Sequence, residues 1–252
     1  MKKMYTTILV IAAILVSVNS IGLSQVKLGI RGGLNLANIS EDVGGTETLD
    51  IEGELLEITL NQSSRTTFNA GGFVEYWFSP MFALQINLLY NQKGVGVEGD
   101  LNETIIEQGI PVNVTANAEE TLKLTYLSFP ILAKVAFGES NIKPYLVAGP
   151  EIGFLLSAKD EAKATAEAEA QGIQVGPYTV EMEEDIKEFL ESFEFALDFG
   201  AGLSYSFGNI DIFADFIYSL GITKINNEEF IEDEDVKNQN IMINVGLSFA
   251  LQ

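Results

Sequence analysis

Eight segments of this chain alternate apolar and polar residues with a period of two, and no other feature narrows its fold as far. The last segment is the clearest. Ile241, Ile243, Val245, Leu247 and Phe249 fall on one side; Met242, Asn244, Gly246 and Ser248 fall on the other. Period two is the signature of a strand with one apolar face. Each segment is about as long as a tilted strand that crosses a membrane, roughly 9–11 residues. In lipid an open sheet would leave a row of backbone groups unpaired, so such strands close into a ring. The pattern predicts an all-β, eight-stranded antiparallel up-and-down transmembrane barrel with its apolar face to lipid.

The other seven segments follow the same rule. Residues 26–36 set Leu28, Ile30, Leu34 and Leu36 against Lys27, Arg31 and Asn35; residues 68–78 set Phe68, Val74 and Tyr76 against Asn69 and Glu75. Residues 82–91 set Phe82, Leu84, Ile86, Leu88 and Tyr90 against Gln85, Asn87 and Asn91; residues 124–137 set Leu127, Phe129 and Ile131 against Ser128 and Lys134. Residues 144–156 put Tyr145 and Glu151 on the polar side, and residues 195–207 and 210–220 put Asp198, Asp211, Asp215 and Ser219 there. The connections near Pro80, Asn141 and Gly208 are short, whereas the links 37–66, 94–122, 157–193 and 222–238 are long and acidic. Short periplasmic turns and long extracellular loops are the habit of bacterial outer-membrane barrels.

The aromatics agree with that threading. Phe78, Phe82, Phe137, Tyr205, Phe207 and Phe249 fall at the periplasmic ends, and Phe68, Tyr90, Phe154, Phe195 and Tyr218 at the outer ends. Two girdles at two interfaces are expected of a lipid-facing barrel; a soluble ligand-holding barrel would turn its apolar face inward. Pro130 and Pro150 sit inside segments, where a closed ring offers no free edge, and are expected to mark bulges.

The start of the chain reads as a secretory signal. Lys2 and Lys3 precede an apolar run from Ile8 to Val18, and Gly22 and Ser24 are small residues suited to cleavage before Gln25. The expected division is a signal peptide, 1–24, and a barrel domain, 25–252. The run is too short to span as a helix, which needs about 20 residues. Losing Lys2 and Lys3 would take the net charge from −22 to −24. So acidic a surface repels nucleic acid, which is bound through lysine and arginine.

Composition also removes chemistry. The chain has no cysteine and no histidine. Thiolate nucleophiles, disulfides and thiolate metal sites are excluded, as are a Ser-His-Asp hydrolase and the commonest general base. The segment Gly94-Val95-Gly96-Val97-Glu98-Gly99 matches G-x-G-x-x-G, but no helix follows it, so it reads as the flexible start of a loop. No catalytic residue, cofactor or metal ligand set is expected.

The order of several short motifs resembles the Bacteroidetes outer-membrane β-barrel domain family often called PorT-like. The residues that carry it are Gly29-Ile30-Arg31-Gly32-Gly33-Leu34-Asn35, Leu84-Gln85-Ile86-Asn87-Leu88-Leu89-Tyr90, Leu127-Ser128-Phe129-Pro130-Ile131-Leu132-Ala133-Lys134, Lys143-Pro144-Tyr145-Leu146-Val147-Ala148-Gly149-Pro150 and Tyr218-Ser219-Leu220-Gly221. Where the family usually carries an acidic residue in the third segment, this chain has Asn87. The resemblance implies an outer-membrane barrel, and for the family's namesake a link to export by the type IX secretion pathway. The last segment also resembles the signal read by the outer-membrane assembly machinery, through Asn244, Gly246, Leu247 and Phe249, although Ala250-Leu251-Gln252 follow the aromatic.

Two groups of residues remain as candidates. Arg31, Glu75, Lys134, Glu151, Asp198 and Asp215 fall on inward faces, together with Lys27 and Asp211. An eight-stranded barrel is just wide enough for its own side chains, and charges inside it must pair. They read as a structural plug; the sharper alternatives are an ion path or an acid–base site. The long links carry Glu41, Asp42, Glu47 and Asp50 in the first and Glu228, Glu229, Glu232 and Asp233 in the last. These read as a solvated face, with weak Ca²⁺ bridging as the alternative. The third link alternates Ala162, Ala164, Ala166, Ala168 and Ala170 with polar residues, as if the fifth strand continued beyond the membrane. Ile186, Phe189, Leu190 and Phe193 then fall at helical spacing, which predicts a short helix near 182–192. The expected protein is a non-enzymatic monomer with an envelope structural, adhesion or secretion-accessory role. Its partners would be outer-membrane lipid and lipopolysaccharide, the assembly machinery and a protein at the loops. A small channel or transporter is the second reading, and a membrane enzyme the third.

Overall fold

The computed structural model describes residues 25–41, 44–51, 54–107, 110–227 and 235–251. The predicted signal peptide, with its boundary at residue 24, and residues 228–234 of the last acidic link lie outside them. The described chain forms ten strands: β1 Val26–Ile39, β2 Gly45–Ile51, β3 Glu54–Trp77, β4 Phe82–Glu107, β5 Ile110–Ala136, β6 Ile142–Ala170, β7 Ile173–Asp185, β8 Phe193–Phe207, β9 Ile210–Gly221 and β10 Asn238–Ala250. Every pairing is antiparallel. Eight strands run in the order β1-β3-β4-β5-β6-β8-β9-β10, and β1 pairs with both β3 and β10, which closes the ring. The predicted barrel is the observed one; β2 and β7 are additions outside it.

The ring forms because each of its strands can turn a continuous apolar face outward. Ile30, Val245 and Leu203 are 61%, 64% and 57% exposed, whereas Leu124 and Leu132, on the inner face, are fully buried. In water that arrangement would waste the hydrophobic effect; in lipid it is the favourable one. Cross-strand aromatic pairs mark the outer girdle: Phe68 stacks on Tyr90 at 5.8 Å, and Phe129 meets Phe154 edge-on at 5.8 Å. The other end carries the short turns, residues 78–81, 137–141 and 208–209. Ser79 Oγ accepts from the Phe82 amide at 3.1 Å in the first of these, and Gly208 supplies the left-handed residue (φ +62°) of the last.

Pro130 and Pro150 do not mark bulges. The β5–β6 register is the same at Pro130↔Glu151 and Ala133↔Ala148, and the β8–β6 register passes through Pro150↔Leu197 unshifted. The ladder omits rungs beside each proline, where no amide hydrogen is available. Asn87 Nδ2 takes up the Pro130 carbonyl at 3.2 Å instead. Two shifts in register lie at the outer rim, on β3 between Ser64 and Asn69 and on the β5–β6 pair between Thr125 and Tyr126, and a third lies beyond it on the β6–β7 pair, between Ala166 and Ala168.

Three of the four long links are not loops. β4 and β5 pair in one unbroken register from Phe82↔Val135 to Glu107↔Ile110, far beyond the outer girdle. β3, β6 and the added strands β2 and β7 join them, so a six-stranded sheet, β2-β3-β4-β5-β6-β7, stands above one side of the ring. We call it the fin. β8, β9, β10 and β1 stop at the rim. Gly94-Val95-Gly96-Val97-Glu98-Gly99 is therefore strand, not a loop start. Gly94 sits where β4 leaves the ring, with φ +125°, and a Cβ there would lie 1.9 Å from the Leu122 carbonyl oxygen. The continuation of the alanine-rich segment as strand is as expected. The helix near 182–192 is not: β7 runs to Asp185, and one turn of 3-10 helix follows at Lys187–Phe189.

Candidate functional site

The interior of the ring is built in layers, each set by alternate residues of the strands around it. At the short-turn end Lys27 pairs with Asp211 inside an open vestibule of about 370 Å³. Above it Lys134 Nζ lies 2.8 Å from Glu75 Oε2, and Trp77 Nε1 donates to Glu75 Oε1 at 2.5 Å. Lys134 is also 4.2 Å from the centre of the Tyr145 ring. A layer of apolar side chains then crosses the lumen: Phe73, Leu132, Tyr145, Phe213, Ile217 and Met242. Phe73 and Phe213 meet edge-on at 5.6 Å. Gly29 and Gly246 make room for them, since a Cβ would lie 2.2 Å from the Phe73 ring at the first and 2.4 Å from the Phe213 ring at the second.

The middle of the lumen is polar. Arg31 Nη2 lies 2.7 Å from Asp215 Oδ1, Asp215 Oδ2 accepts from Tyr145 Oη at 2.9 Å, and Asn244 Nδ2 donates to Asp215 Oδ1 at 2.9 Å. An amide relay continues upward: Asn69 donates to both Asn244 and Asn35, and Asn35 donates to Asn91. Next comes a second charged group. Lys93 Nζ sits 3.0 Å from Glu151 Oε1 and also pairs with Glu194, Ser128 Oγ donates to Glu151 at 3.0 Å, and Asp198 borders Glu151. Two carboxylates thus share one ammonium, with the Asp198 carboxyl beside them. An apolar cap of Ile39, Val95, Leu124, Tyr126, Leu155 and Ile225 lies over this group, with Ile186, Leu190 and Val236 against it.

All six residues expected in the lumen are buried there, but in two groups. Arg31, Glu75, Lys134 and Asp215 lie towards the short turns, and Glu151 and Asp198 towards the rim. Sequence reasoning missed Lys93 and Glu194, each one alternate position beyond the strand ends assumed, and it missed the apolar layer between the charges. Of the four residues assigned to the assembly signal, Asn244 is in the amide relay and Gly246 lies under Phe213. Phe249 faces outward, 47% exposed, on the side that Leu247 shares.

Above the rim the polarity of the strands inverts. On the face that continues the lipid-facing side, Lys123 pairs with Glu161, Lys159 with Glu183, and Lys163 Nζ with Glu181 Oε1 at 3.3 Å. The face that continues the lumen carries Val97, Gly99 and Leu101 on β4, opposite Glu120, Ala118 and Ala116 on β5. Ala118, Ala116 and Val114 oppose Ala164, Ala166 and Ala168 on β6, and Ala166, Ala164 and Ala162 oppose Tyr178, Val180 and Met182 on β7. Among the described residues no group of three or more acidic side chains converges as a metal site would require.

A closed antiparallel ring with a lipid-exposed apolar belt, short turns at one end and a filled interior defines an outer-membrane β-barrel. The chain belongs to the family described as "Outer membrane protein beta-barrel domain", which matches residues 19–227. Among solved structures it is similar to the neisserial surface protein NspA, at 13% identity over 90% of this chain and 97% of that one, with a TM-score of 0.40. It is also similar to OprG of Pseudomonas aeruginosa, at 12% identity over 88% and 95%, TM-score 0.36. Ail of Yersinia pestis matches at 15% identity over 89% and 99%, TM-score 0.29. No curated protein matches the sequence.

Proposed function

We propose that this protein is a plugged, non-enzymatic outer-membrane barrel whose lumen is structural and whose work is done by the fin, in an adhesion, envelope-structural or secretion-accessory role of the PorT-like kind. The observation that carries this reading is the filling of the lumen from vestibule to cap, with charged, amide and apolar layers in succession. Arg31, Glu75, Lys134, Glu151, Asp198 and Asp215 then serve as a plug, with Lys93 and Glu194 completing its upper half. Partners would be the lipid and lipopolysaccharide around the belt and a protein at the extracellular side. Asn244, Gly246, Leu247 and Phe249 would present the last strand to the assembly machinery. The protein would act as a monomer after removal of residues 1–24. Planar-bilayer recording of the purified full-length protein tests the plug: no steady current is expected, and discrete long-lived open steps would overturn it in favour of a channel.

A further inference from the structure

The fin has one face that water should not see. Tyr178, Val180, Met182, Val175 and Ile173 of β7 are 68%, 59%, 67%, 50% and 68% exposed, although all stand on the side of the alanines of β6. A trough of about 250 Å³ runs along this face, floored by Gly99, Ala118 and Ala164 and walled by Ile58, Leu101 and Val180. Its lower end merges with the cap of the barrel, where Ile225 and Val236 from the β9–β10 link already pack against Val95 and Leu124. The face is thus a core surface that the chain itself covers only at its lower end. A contiguous apolar surface of this kind marks a binding site.

The charges on the two faces differ. Lys123, Lys159 and Lys163 all lie on the outward face, each in an ion pair with an acid of the neighbouring strand. The trough face carries Glu103, Glu120, Asp160 and Glu184 and no base from β4, β5, β6 or β7. Asp160 Oδ1 is buried without a hydrogen-bond donor among the described residues, and the Asp160 carboxyl meets only the Glu120 carboxyl, with Glu184 near. None of these four acids is in an ion pair with β4, β5, β6 or β7 among the described residues, whereas Glu161, Glu181 and Glu183 behind them each are.

We propose that the trough binds a cationic amphipathic helix of an extracellular protein, with its apolar stripe on the alanine floor and its lysines or arginines beside Glu120, Asp160 and Glu184. This rests on the reading of the fin as the functional part. The small residues of β5 and β6 let a helix sit low between the larger side chains of its walls. A helix of about 18 residues is about 27 Å long, shorter than the roughly 43 Å that the thirteen residues of β7 cover at about 3.3 Å each. A second copy in the same membrane is poorly placed to fill the trough, because the face looks over the mouth of its own barrel.

The test uses the full-length protein in zwitterionic lipid nanodiscs and a fluorescein-labelled leucine–lysine amphipathic helix of about 18 residues, read by fluorescence anisotropy. Saturable binding is expected. A leucine–glutamate helix and a serine–lysine peptide should each bind at least about tenfold more weakly. The pair Tyr178→Ser and Val180→Ser should weaken binding by at least about tenfold; both residues lie outside the ring, so barrel closure does not depend on them. The isosteric pair Glu120→Gln and Asp160→Asn should weaken it about threefold and flatten its salt dependence. Equal binding of the lysine and glutamate helices, or binding unchanged in the β7 variant, overturns the proposal. So does a mass for the discs showing two chains that separate on Val180→Ser. These outcomes are independent of bilayer conductance, so the docking site can fail while the plugged barrel stands, and the reverse.

Discussion

The ring and the fin are made from the same strands and obey opposite rules. Along β4, Tyr90 faces lipid and Asn91 faces the lumen; a few residues on, Glu98 takes the outward side and Val97 and Gly99 the inward. The β4–β5 register does not change between them. The solvent does. A pleated strand presents two faces whatever surrounds it, and the side chains sort by what each face meets: hydrocarbon and then water outside, a polar plug and then an open apolar trough inside. The level at which the outward face loses its large apolar residues, just beyond Phe68, Tyr90 and Phe154, is the upper boundary of the membrane. The inversion locates that boundary without any assumption about thickness.

The contrast is broken most severely inside the ring. Lys93→Met would leave Glu151 and Glu194 buried without their shared cation. Removing one partner of a buried ion pair costs about 3–5 kcal/mol, here with two carboxylates stranded. The expected result is a large drop in the urea midpoint of unfolding in nanodiscs, or failure to refold. A loss below about 1 kcal/mol would mean that water reaches the group and that the lumen is open. Next in size is a matched pair of substitutions on the two regions. Ile243→Lys puts a charge on the lipid belt, where it costs about 2–4 kcal/mol near the bilayer midplane. Val180→Lys puts the same charge on the exposed fin and should cost less than about 0.5 kcal/mol. Equal costs would show that the fin's inner face is covered.

A smaller effect of opposite sign is expected at Asp198. Asp198 is buried beside Glu151 and outside the ion pairs of Lys93, and neither of its oxygens has a hydrogen-bond partner among the described residues, so a charge there meets more repulsion than attraction. Asp198→Asn keeps the shape and removes that charge. Stability should rise by on the order of 1 kcal/mol, read as a higher urea midpoint; a fall would show that the carboxylate is held by partners beyond this group.

The same comparison shows where sequence reasoning succeeds. In the ring the alternation sets Leu, Ile and Phe against Asn, Asp and Arg, so the faces of all eight strands, and the six expected lumen residues, can be assigned from the letters. In the fin the apolar side is carried by Ala, Gly and Val, and its polar neighbours include Thr and Asn as well as Glu, so the contrast across 94–122 and 157–185 is weak and the segments read as acidic loops. The inverted polarity hides them further, because a search for lipid-facing residues finds none. Ile186, Phe189, Leu190 and Phe193 do fall at helical spacing, but pairing of Glu181, Met182 and Glu183 with β6 holds the chain extended to Asp185. Tertiary pairing overrode a local preference. Lys93 and Glu194 were legible in principle: each continues the alternation by one step.

The last and smallest effect belongs to the fin alone. Burial raises the Glu120 carboxyl above its ordinary range, with Asp160 adding to the shift, and burial likewise raises Asp160, with Glu184 adding to it. An acid raised in the folded state is bound more tightly to its proton there than in the unfolded chain. Its stabilising contribution is therefore greatest at acid pH and is lost as pH rises from the unfolded value through the raised one. Both groups are partly solvated, so the effect is modest and local to β5 and β6. Amide hydrogen exchange, corrected for its intrinsic pH dependence, should show protection around Thr121 and Asp160 falling as pH rises above the ordinary carboxylate range of about 4, while the ring strands stay unchanged. Glu120→Gln should abolish that fall. If the fall persists in the variant, the pH dependence lies elsewhere in the fin; if the ring shares it, the two regions unfold as one unit, and the independence that separates a structural barrel from a working fin is lost.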